Sequence, residues 1–356
     1  MSSNAAAQSP TVSVIVPVHN EMPHLTETIE SVFTQELTDF ELIAIDDGSS
    51  DGSGEELERL ARSDDRLVVI RQPGSGWPGG PRNRGLERAS GRYVFFLDGD
   101  DKLETYALGT MVAAFVAADA DPVPVDVVIP KMRGTGGRRI SPLFLRYPSG
   151  DIALDRAMET LTPQKMIRRE MIEREGLRFP EGVVRLEDGI FMTQAYTAAR
   201  RITYSGKRVL YLFAKRDRGG NTSSQLFRPE DYVDSCRVIA TTLVENVADS
   251  EEAARLVSEF FGKMGLRFYT PRRWRLSHPW RRRAWVRAHR QFLADFVPEE
   301  LDGREAHPTD RAKRALIRDG RVRGLSALID AERRLDHGAE LIAAEGDDEL
   351  DLVVEL

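Results

Sequence analysis

Residues 11–51 read TVSVIVPVHNEMPHLTETIESVFTQELTDFELIAIDDGSSD. The apolar run Val12 to Val18 has strand length, Leu25, Ile29, Val32 and Phe33 recur at helical spacing, and a second Ile-rich run over 40–46 closes on acids and a glycine. Strand, helix, strand in that order is a βαβ unit. Further short Val/Ile/Phe-rich runs at 67–71 and 92–97 continue the alternation. Such units need right-handed crossovers and give a largely parallel sheet covered by helices on both faces, with ligands at the carboxyl ends of the strands. Those ends are all polar: Pro17-Val18-His19-Asn20-Glu21, Asp46-Asp47-Gly48-Ser49-Ser50-Asp51 and Leu97-Asp98-Gly99-Asp100-Asp101.

Beyond this region the pattern predicts a helix near 104–118, a strand near 125–130, a Gly/Arg loop from Arg133 to Arg139, and a helix over 163–175 ended by Gly176. Another helix follows Asp188, with Ile190, Phe191, Gln194 and Ala195 on neighbouring turns. From Pro229 onward the chain reads mainly as helices. The expected organisation is a terminal segment 1–10, an α/β domain 11–228, and a mainly helical region 229–356.

The 356 residues exceed a usual single domain, and 41% hydrophobic with 30% charged residues is an ordinary globular composition. The sole cysteine, Cys236, cannot form an intramolecular disulfide, which suits a reducing, cytoplasmic setting. The first residues lack a basic region and the run Val12–Val18 is too short to cross a bilayer, so any membrane contact is expected to be peripheral, at the inner face of the cell membrane. A formal charge of −7 gives no support to a nucleic-acid partner. The charge is uneven: residues 271–290 (PRRWRLSHPWRRRAWVRAHR) hold eight arginines and no acid, whereas 345–355 are strongly acidic.

Three adjacent acids at one strand end, Asp98, Asp100 and Asp101, repel one another. They are either solvated in an open turn or neutralised by a hard divalent cation, and Mg²⁺ or Mn²⁺ typically takes one or two protein carboxylates plus phosphate oxygens. In the second polar loop Asp51 or Ser53 suits the cap of the next helix, and Asp47 is either a turn former or an acceptor for a nucleoside imide or ribose hydroxyl. Residues 74–85 (GSGWPGGPRNRG) form a loop whose Arg82, Asn83 and Arg84 open a helix near Pro81, a setting that favours anions and equally suits solvated arginines.

Taken in order, the segments 17–21, 46–51, 81–85 (Pro-Arg-Asn-Arg-Gly) and 96–101 (Phe-Leu-Asp-Gly-Asp-Asp) resemble the family 2 glycosyltransferases of GT-A fold, closely over residues 11–105. The resemblance implies a Rossmann-like nucleotide-sugar domain, inversion at the anomeric carbon and a Mn²⁺ or Mg²⁺ ion on the donor diphosphate. It places Pro17, His19, Glu21, Asp47, Arg82 and Asn83 at the donor, and Asp98, Gly99 and Asp100 in the Asp-x-Asp motif at ribose, sugar and metal, with Asp100 and Asp98 as metal ligands. His19 stands where Tyr is common and Gly99 where Ala or Ser is common.

Arg185-Leu186-Glu187-Asp188-Gly189-Ile190-Phe191 resembles the family's Glu-Asp segment, whose Asp is the catalytic base. The chemistry needs one, because an alcohol is a poor nucleophile until its proton is being removed. The competing role for Asp188 is the N-cap of the following helix. Lys215 to Ser223, with Arg216, resembles the basic loop over the donor diphosphate. The donor implied is a UDP-sugar, and the acceptor a polyol phosphate, glycan or lipid-linked hydroxyl, as among bacterial transferases of cell-surface polymers and wall teichoic acid. Two other classes fit the carboxylates: a nucleotidyltransferase and a non-catalytic nucleotide- or polymer-binding module. The Arg/Trp-rich stretch suits an anionic acceptor or an amphipathic helix packing Trp274, Trp280 and Trp285, and the C-terminal region suits acceptor contact or homo-oligomer formation.

Overall fold

A computed structural model describes residues 9–141, 143–214, 227–304, 308–335, 340–344 and 351–355, the last two segments as backbone only. The chain divides into two compact units, Met1–Gln225 and Leu226–Leu356.

The first unit is built on an eight-stranded sheet. Strands β1 (Val12–Val18), β2 (Phe40–Asp47), β3 (Leu67–Gln72) and β4 (Tyr93–Phe96) run parallel in the order β3-β2-β1-β4. Between them lie α1 (Leu25–Phe33), α2 (Ser53–Ala61) and α3 (Gly79–Arg88). β1 and β2 are buried nearly throughout, as expected for central strands covered on both faces. After β4 come a short β5 (Lys102–Leu103), α4 (Ala107–Ala118), β6 (Val127–Pro130), β7 (Met132–Gly134) and α5 (Leu143–Arg146). There follow β8 (Gly150–Asp151), α6 (Leu154–Ala157), β9 (Met166–Arg168), α7 (Arg169–Arg174), α8 (Glu187–Ala198), β10 (Ile202–Ser205) and β11 (Tyr211–Phe213). The order β9-β6-β10-β8 completes the main sheet, and β5-β11-β7 forms a small second one that takes in Arg133 of the expected loop.

In this unit the segment before α8 departs from the sequence reading. The helix expected over 163–175 is a strand followed by a six-residue helix. β9 runs antiparallel between β4 and β6, pairing Val94 and Val127 with Ile167, and the open edge of β4 outweighs local helical spacing there.

Helix α3 approaches the sheet closely enough to need a glycine. A Cβ on Gly85 would lie 2.4 Å from Cγ2 of Ile15 and 3.0 Å from Cδ1 of Ile45. Gly85→Ala is therefore expected to destabilise the domain by about 1–3 kcal/mol through overpacking, read as a lower melting temperature.

The second unit contains α9 (Pro229–Asn246), α10 (Ser250–Met264), α11 (Pro271–Leu276), α12 (Pro279–Phe296), α13 (Pro308–Arg318) and α14 (Val322–Leu335). Strands β12 (Glu340–Ala344) and β13 (Asp351–Glu355) form an antiparallel ribbon, so the acidic C-terminal stretch is not all helix. Leu325, Leu328 and Ile329 are fully buried and serve this unit's own core. The Arg/Trp-rich stretch is two helices rather than one, broken at Ser277-His278-Pro279, and only Trp274 and Trp285 of its tryptophans are buried. Trp285 stacks on Phe268 with ring centroids 3.9 Å apart, and the Tyr269 hydroxyl meets Nδ1 of buried His289 at 2.9 Å. No described helix is long and apolar enough to cross a membrane.

Candidate active site

The polar strand ends converge as the parallel topology requires. At the end of β1 the ring of His19 meets the Asp47 carbonyl oxygen at 2.9 Å through Nδ1, so that nitrogen donates, and Nε2 accepts from Asn20 Nδ2 at 3.2 Å. Asn20 takes a left-handed φ of 57°, which turns the chain so that the Glu21 amide donates to Ser53 Oγ at 3.0 Å. Pro17 is half-buried within β1, opposite Ile45. Buried Glu21 packs on the Asp-Gly-Asp turn: a Cβ on Gly99 would lie 2.7 Å from Glu21 Cγ. That contact accounts for glycine at this position, and Thr28 Oγ1 donates to the Gly99 carbonyl at 3.0 Å to hold the turn.

Asp47 ends β2 and is buried. Its Oδ1 accepts from Gln72 Nε2 at 2.7 Å and from the Ser75 amide at 2.9 Å, and Oδ2 accepts from Ser75 Oγ at 2.7 Å. Three of roughly four acceptor positions on a carboxylate are thus taken, and its first role is to tie the 74–77 loop to the strand end. Gly48, at φ 74°, makes the return possible, since a Cβ there would sit 2.6 Å from the Gly74 nitrogen. Asp47→Ala is expected to weaken UDP binding by about 1–3 kcal/mol, because the loop loses a charged anchor. Calorimetry showing unchanged affinity would remove Asp47 from the site. Asp51 accepts from the Ser53 amide at 3.0 Å, so it serves the first turn of α2 although Gly52 holds the N-cap position.

Arg82 is the centre of the arrangement. It lies on α3 with 3% of its surface exposed, its Nη1 donates to Asp188 Oδ1 at 2.6 Å, and its Nη2 donates to Asp98 Oδ1 at 3.0 Å. Glu187 approaches Nη1 at 4.0 Å, and the guanidinium carbon stands 5.2 Å from the Phe179 ring centroid. One planar fork therefore joins the strand-end acid of β4 to the first turn of α8, residues 16 and 106 positions away along the chain. The sequence resemblance implies a place at the nucleoside for Arg82; here its guanidinium is engaged within the protein, by carboxylates. The same holds for Asn83, whose Nδ2 donates to the Phe179 carbonyl and to Glu181 Oε1 at 2.9 Å each, while its Oδ1 accepts from the Phe179 amide at 2.9 Å.

Asp188 is not the N-cap of α8. Leu186 holds that position in a left-handed conformation (φ 56°, ψ 31°), and Asp188 falls inside the first turn. Its side chain keeps 31% exposure, and Oδ2 has no hydrogen-bond partner among the described residues. Burial pushes its carboxyl up to about 8, with Glu187 and Asp98 adding to the rise and Arg82 and Lys165 opposing it. A carboxylate with one oxygen held by arginine and the other open is suited to accept a proton near neutral pH.

The sequence places this arrangement in a known group. Residues 13–176 match the model of glycosyl transferase family 2, and residues 229–329 match the glycosyl transferase TarS linker domain. Residues 13–176 form a glycosyl transferase family 2 domain. The chain is 32% identical over 257 residues to the poly(ribitol-phosphate) beta-N-acetylglucosaminyltransferase TarS of Staphylococcus aureus, covering 70% of this chain and 44% of that protein. It is 26% identical to a poly(ribitol-phosphate) beta-glucosyltransferase of Bacillus spizizenii, covering 88% of this chain and 49% of that one. The chain thus spans less than half the length of these two curated relatives. Its fold matches the crystal structure of S. aureus TarS 1–349 in complex with UDP-GlcNAc, with a TM-score of 0.82 over 96% of this chain and 98% of that one at 24% identity.

Against the family's expected metal ligands the three acids separate into distinct environments. Asp101 is buried, with Oδ2 accepting from the Tyr211 hydroxyl at 2.6 Å and Oδ1 from the Ala214 amide at 2.7 Å. It anchors β11 and is not a metal ligand in this arrangement. Burial first, then Asp98 and Asp100, push its carboxyl up to about 8. Asp98, which the resemblance implies as a ligand, is turned to Arg82 by one oxygen and to Gln164 Nε2, at 2.7 Å, by the other. Asp100 is half-buried at the turn beside them. No cluster of three or more His, Cys, Asp or Glu suited to a metal occurs among the described residues. One carboxylate, with other carboxylates at hand and no histidine or thiolate, suits a hard cation whose other oxygen ligands come from a diphosphate.

Sequence reasoning missed Gln164 and Lys165. Lys165 is fully buried, and its Nζ donates to Thr160 Oγ1 at 2.9 Å and to the Thr162 carbonyl at 2.6 Å. Both lie just ahead of β9, in the segment whose helical spacing concealed a strand. Trp77, buried under Arg185 with its ring centroid 4.9 Å from the guanidinium, was likewise not singled out. Arg216 and the basic loop from Lys215 to Ser223 lie outside the described residues.

Proposed function

We propose that this chain is a divalent-metal-dependent, inverting glycosyltransferase that moves a sugar from a UDP-sugar to a hydroxyl of a polyol-phosphate polymer. The observation that carries the reading is the single guanidinium joining Asp98, the first acid of the Asp-x-Asp motif, to Asp188, the open carboxylate. The acceptor class is supported by the relatives' names, both of which specify poly(ribitol phosphate), and the donor class by the TarS structure with UDP-GlcNAc.

Oδ2 of Asp188 takes the acceptor's proton as its oxygen bonds to the anomeric carbon, and the bond from that carbon to the UDP oxygen breaks on the opposite face, inverting the centre. Arg82 fixes the direction of the Asp188 carboxylate, and Asp98, held by Arg82 and Gln164, sets the position of the motif. Asp100 would hold the divalent cation, which would supply neutralisation of the charge left on the departing diphosphate.

A panel of UDP-sugars tests the reading. Metal-dependent UDP release that rises when poly(ribitol phosphate) is added is the expected result. Pyrophosphate release from a nucleoside triphosphate would move the chain to the nucleotidyltransferases, and UDP binding without turnover of any donor would make it a binding module.

A further inference from the structure

The corner between α11 and α12 carries exposed apolar surface amid unpaired arginines. Leu276, the last residue of α11, is 81% exposed, and Trp280, the second of α12, is 55% exposed, although the neighbouring Trp274 and Trp285 are buried. Arg272 and Leu276 are one turn apart on α11, and Trp280 and Arg283 are one turn apart on α12. Arg272, Arg275 and Arg283 are exposed and make no side-chain ion pair among the described residues. Other arginines of the stretch have structural work: Arg282 donates to the Trp274 and Ser277 carbonyls at 3.0 Å each, and Arg287 pairs with Glu230 at 2.8 Å. The positive charge is crowded as well as exposed. Arg273 is exposed as well, and its pKa is lowered first by desolvation and then by Arg267 and, more weakly, Arg272, with Tyr232 opposing. Nothing acidic lies anywhere in residues 271–290 to relieve it.

We infer that this corner is a docking surface for an anionic lipid membrane, with Trp280 and Leu276 entering the interfacial layer and Arg272, Arg275 and Arg283 meeting the headgroups. Tryptophan and arginine are the side chains that partition to that layer, the ring for its amphipathic body and the guanidinium for its charge. A soluble polyanion explains the arginines and leaves the two apolar side chains in water. A bilayer takes up both.

The test uses the full chain with vesicles of phosphatidylcholine alone, or of phosphatidylcholine and phosphatidylglycerol in equal parts, in low salt. Co-sedimentation with the anionic vesicles only is expected. Arg272→Gln/Arg275→Gln/Arg283→Gln is expected to weaken that binding roughly a hundredfold, from the usual contribution of each basic residue near a charged surface. Leu276→Ser/Trp280→Ser is expected to weaken it at least tenfold while circular dichroism and UDP affinity stay unchanged. Absence of binding to anionic vesicles, or equal binding to neutral ones, overturns the inference. So does an apolar double variant that binds vesicles like the wild type, and if soluble poly(ribitol phosphate) then displaces the vesicles, the surface belongs to the polymer instead. Donor turnover without membrane is read separately, so failure here leaves the proposed transferase activity untouched.

Discussion

Asp100→Ala is expected to lose donor turnover almost completely, by roughly 10³-fold or more, while the protein stays folded. The size follows from the charge that collects on a departing diphosphate, whose neutralisation by a cation contributes several kcal/mol to the barrier. The survival of the fold follows from position. Asp100 is half-buried at the turn, whereas its neighbour Asp101 is buried and holds Tyr211 and Ala214. The pair forms an internal control: Asp101→Ala is expected to lower the melting temperature, because it leaves a buried hydroxyl and an amide without their acceptor. EDTA should reproduce the Asp100→Ala loss in the wild-type protein, and added Mn²⁺ or Mg²⁺ should reverse it there but not in the variant. Full turnover by the wild type in metal-free buffer would defeat this assignment.

The first half of the sheet was legible because β1, β2 and β4 are buried apolar runs followed by polar residues, β3 is a short apolar run ending in Arg71 and Gln72, and the intervening α1 shows its buried face as Leu25, Ile29 and Val32 at helical spacing. β9 was not, because its three residues, Met166-Ile167-Arg168, are too few to show a period and run into a helix. Its identity is set by partners far along the chain, Val94 and Val127, which no local window contains. The site divides the same way. Asp47, Asp98, Asp100 and Asp188 stand at strand ends or a helix start, where type and position declare them. Gln164 and Lys165 have no such signature. Their places depend on β9, so the misread strand and the missed residues have one cause. Arg82 was found, but not its partners within the chain: the sequence shows a cation at a helix start, and only the fold shows two carboxylates meeting it.

Asp188→Asn is expected to lower kcat by about 10²–10⁴-fold with little change in UDP-sugar affinity, the usual cost of losing a general base. Asparagine retains size and an oxygen that can accept from Arg82 Nη1, so the ion-pair centre keeps its geometry, with Asp98 still balancing the guanidinium. The helix-cap alternative no longer competes, because Leu186 occupies the N-cap position and the Asp188 side chain caps nothing. The pH dependence supplies a second, independent readout. A base must be ionised to act, so wild-type kcat rises with pH through the pKa of Asp188, which burial places at about 8, well above the ordinary carboxylate range near ~4. The variant has no such group and its residual rate is expected to be flat over that interval. Stability carries the opposite sign. A carboxyl whose folded pKa is raised favours the folded state while protonated, and this contribution is lost as pH climbs from the ordinary carboxylate range towards about 8. Asparagine never ionises, so at alkaline pH the variant is expected to melt at or above the wild-type temperature. Thermal melts, donor affinities and kcat profiles for the two proteins across this pH range decide the matter. Near-normal turnover with the ascending limb intact in a folded Asp188→Asn protein would show that another group takes the proton.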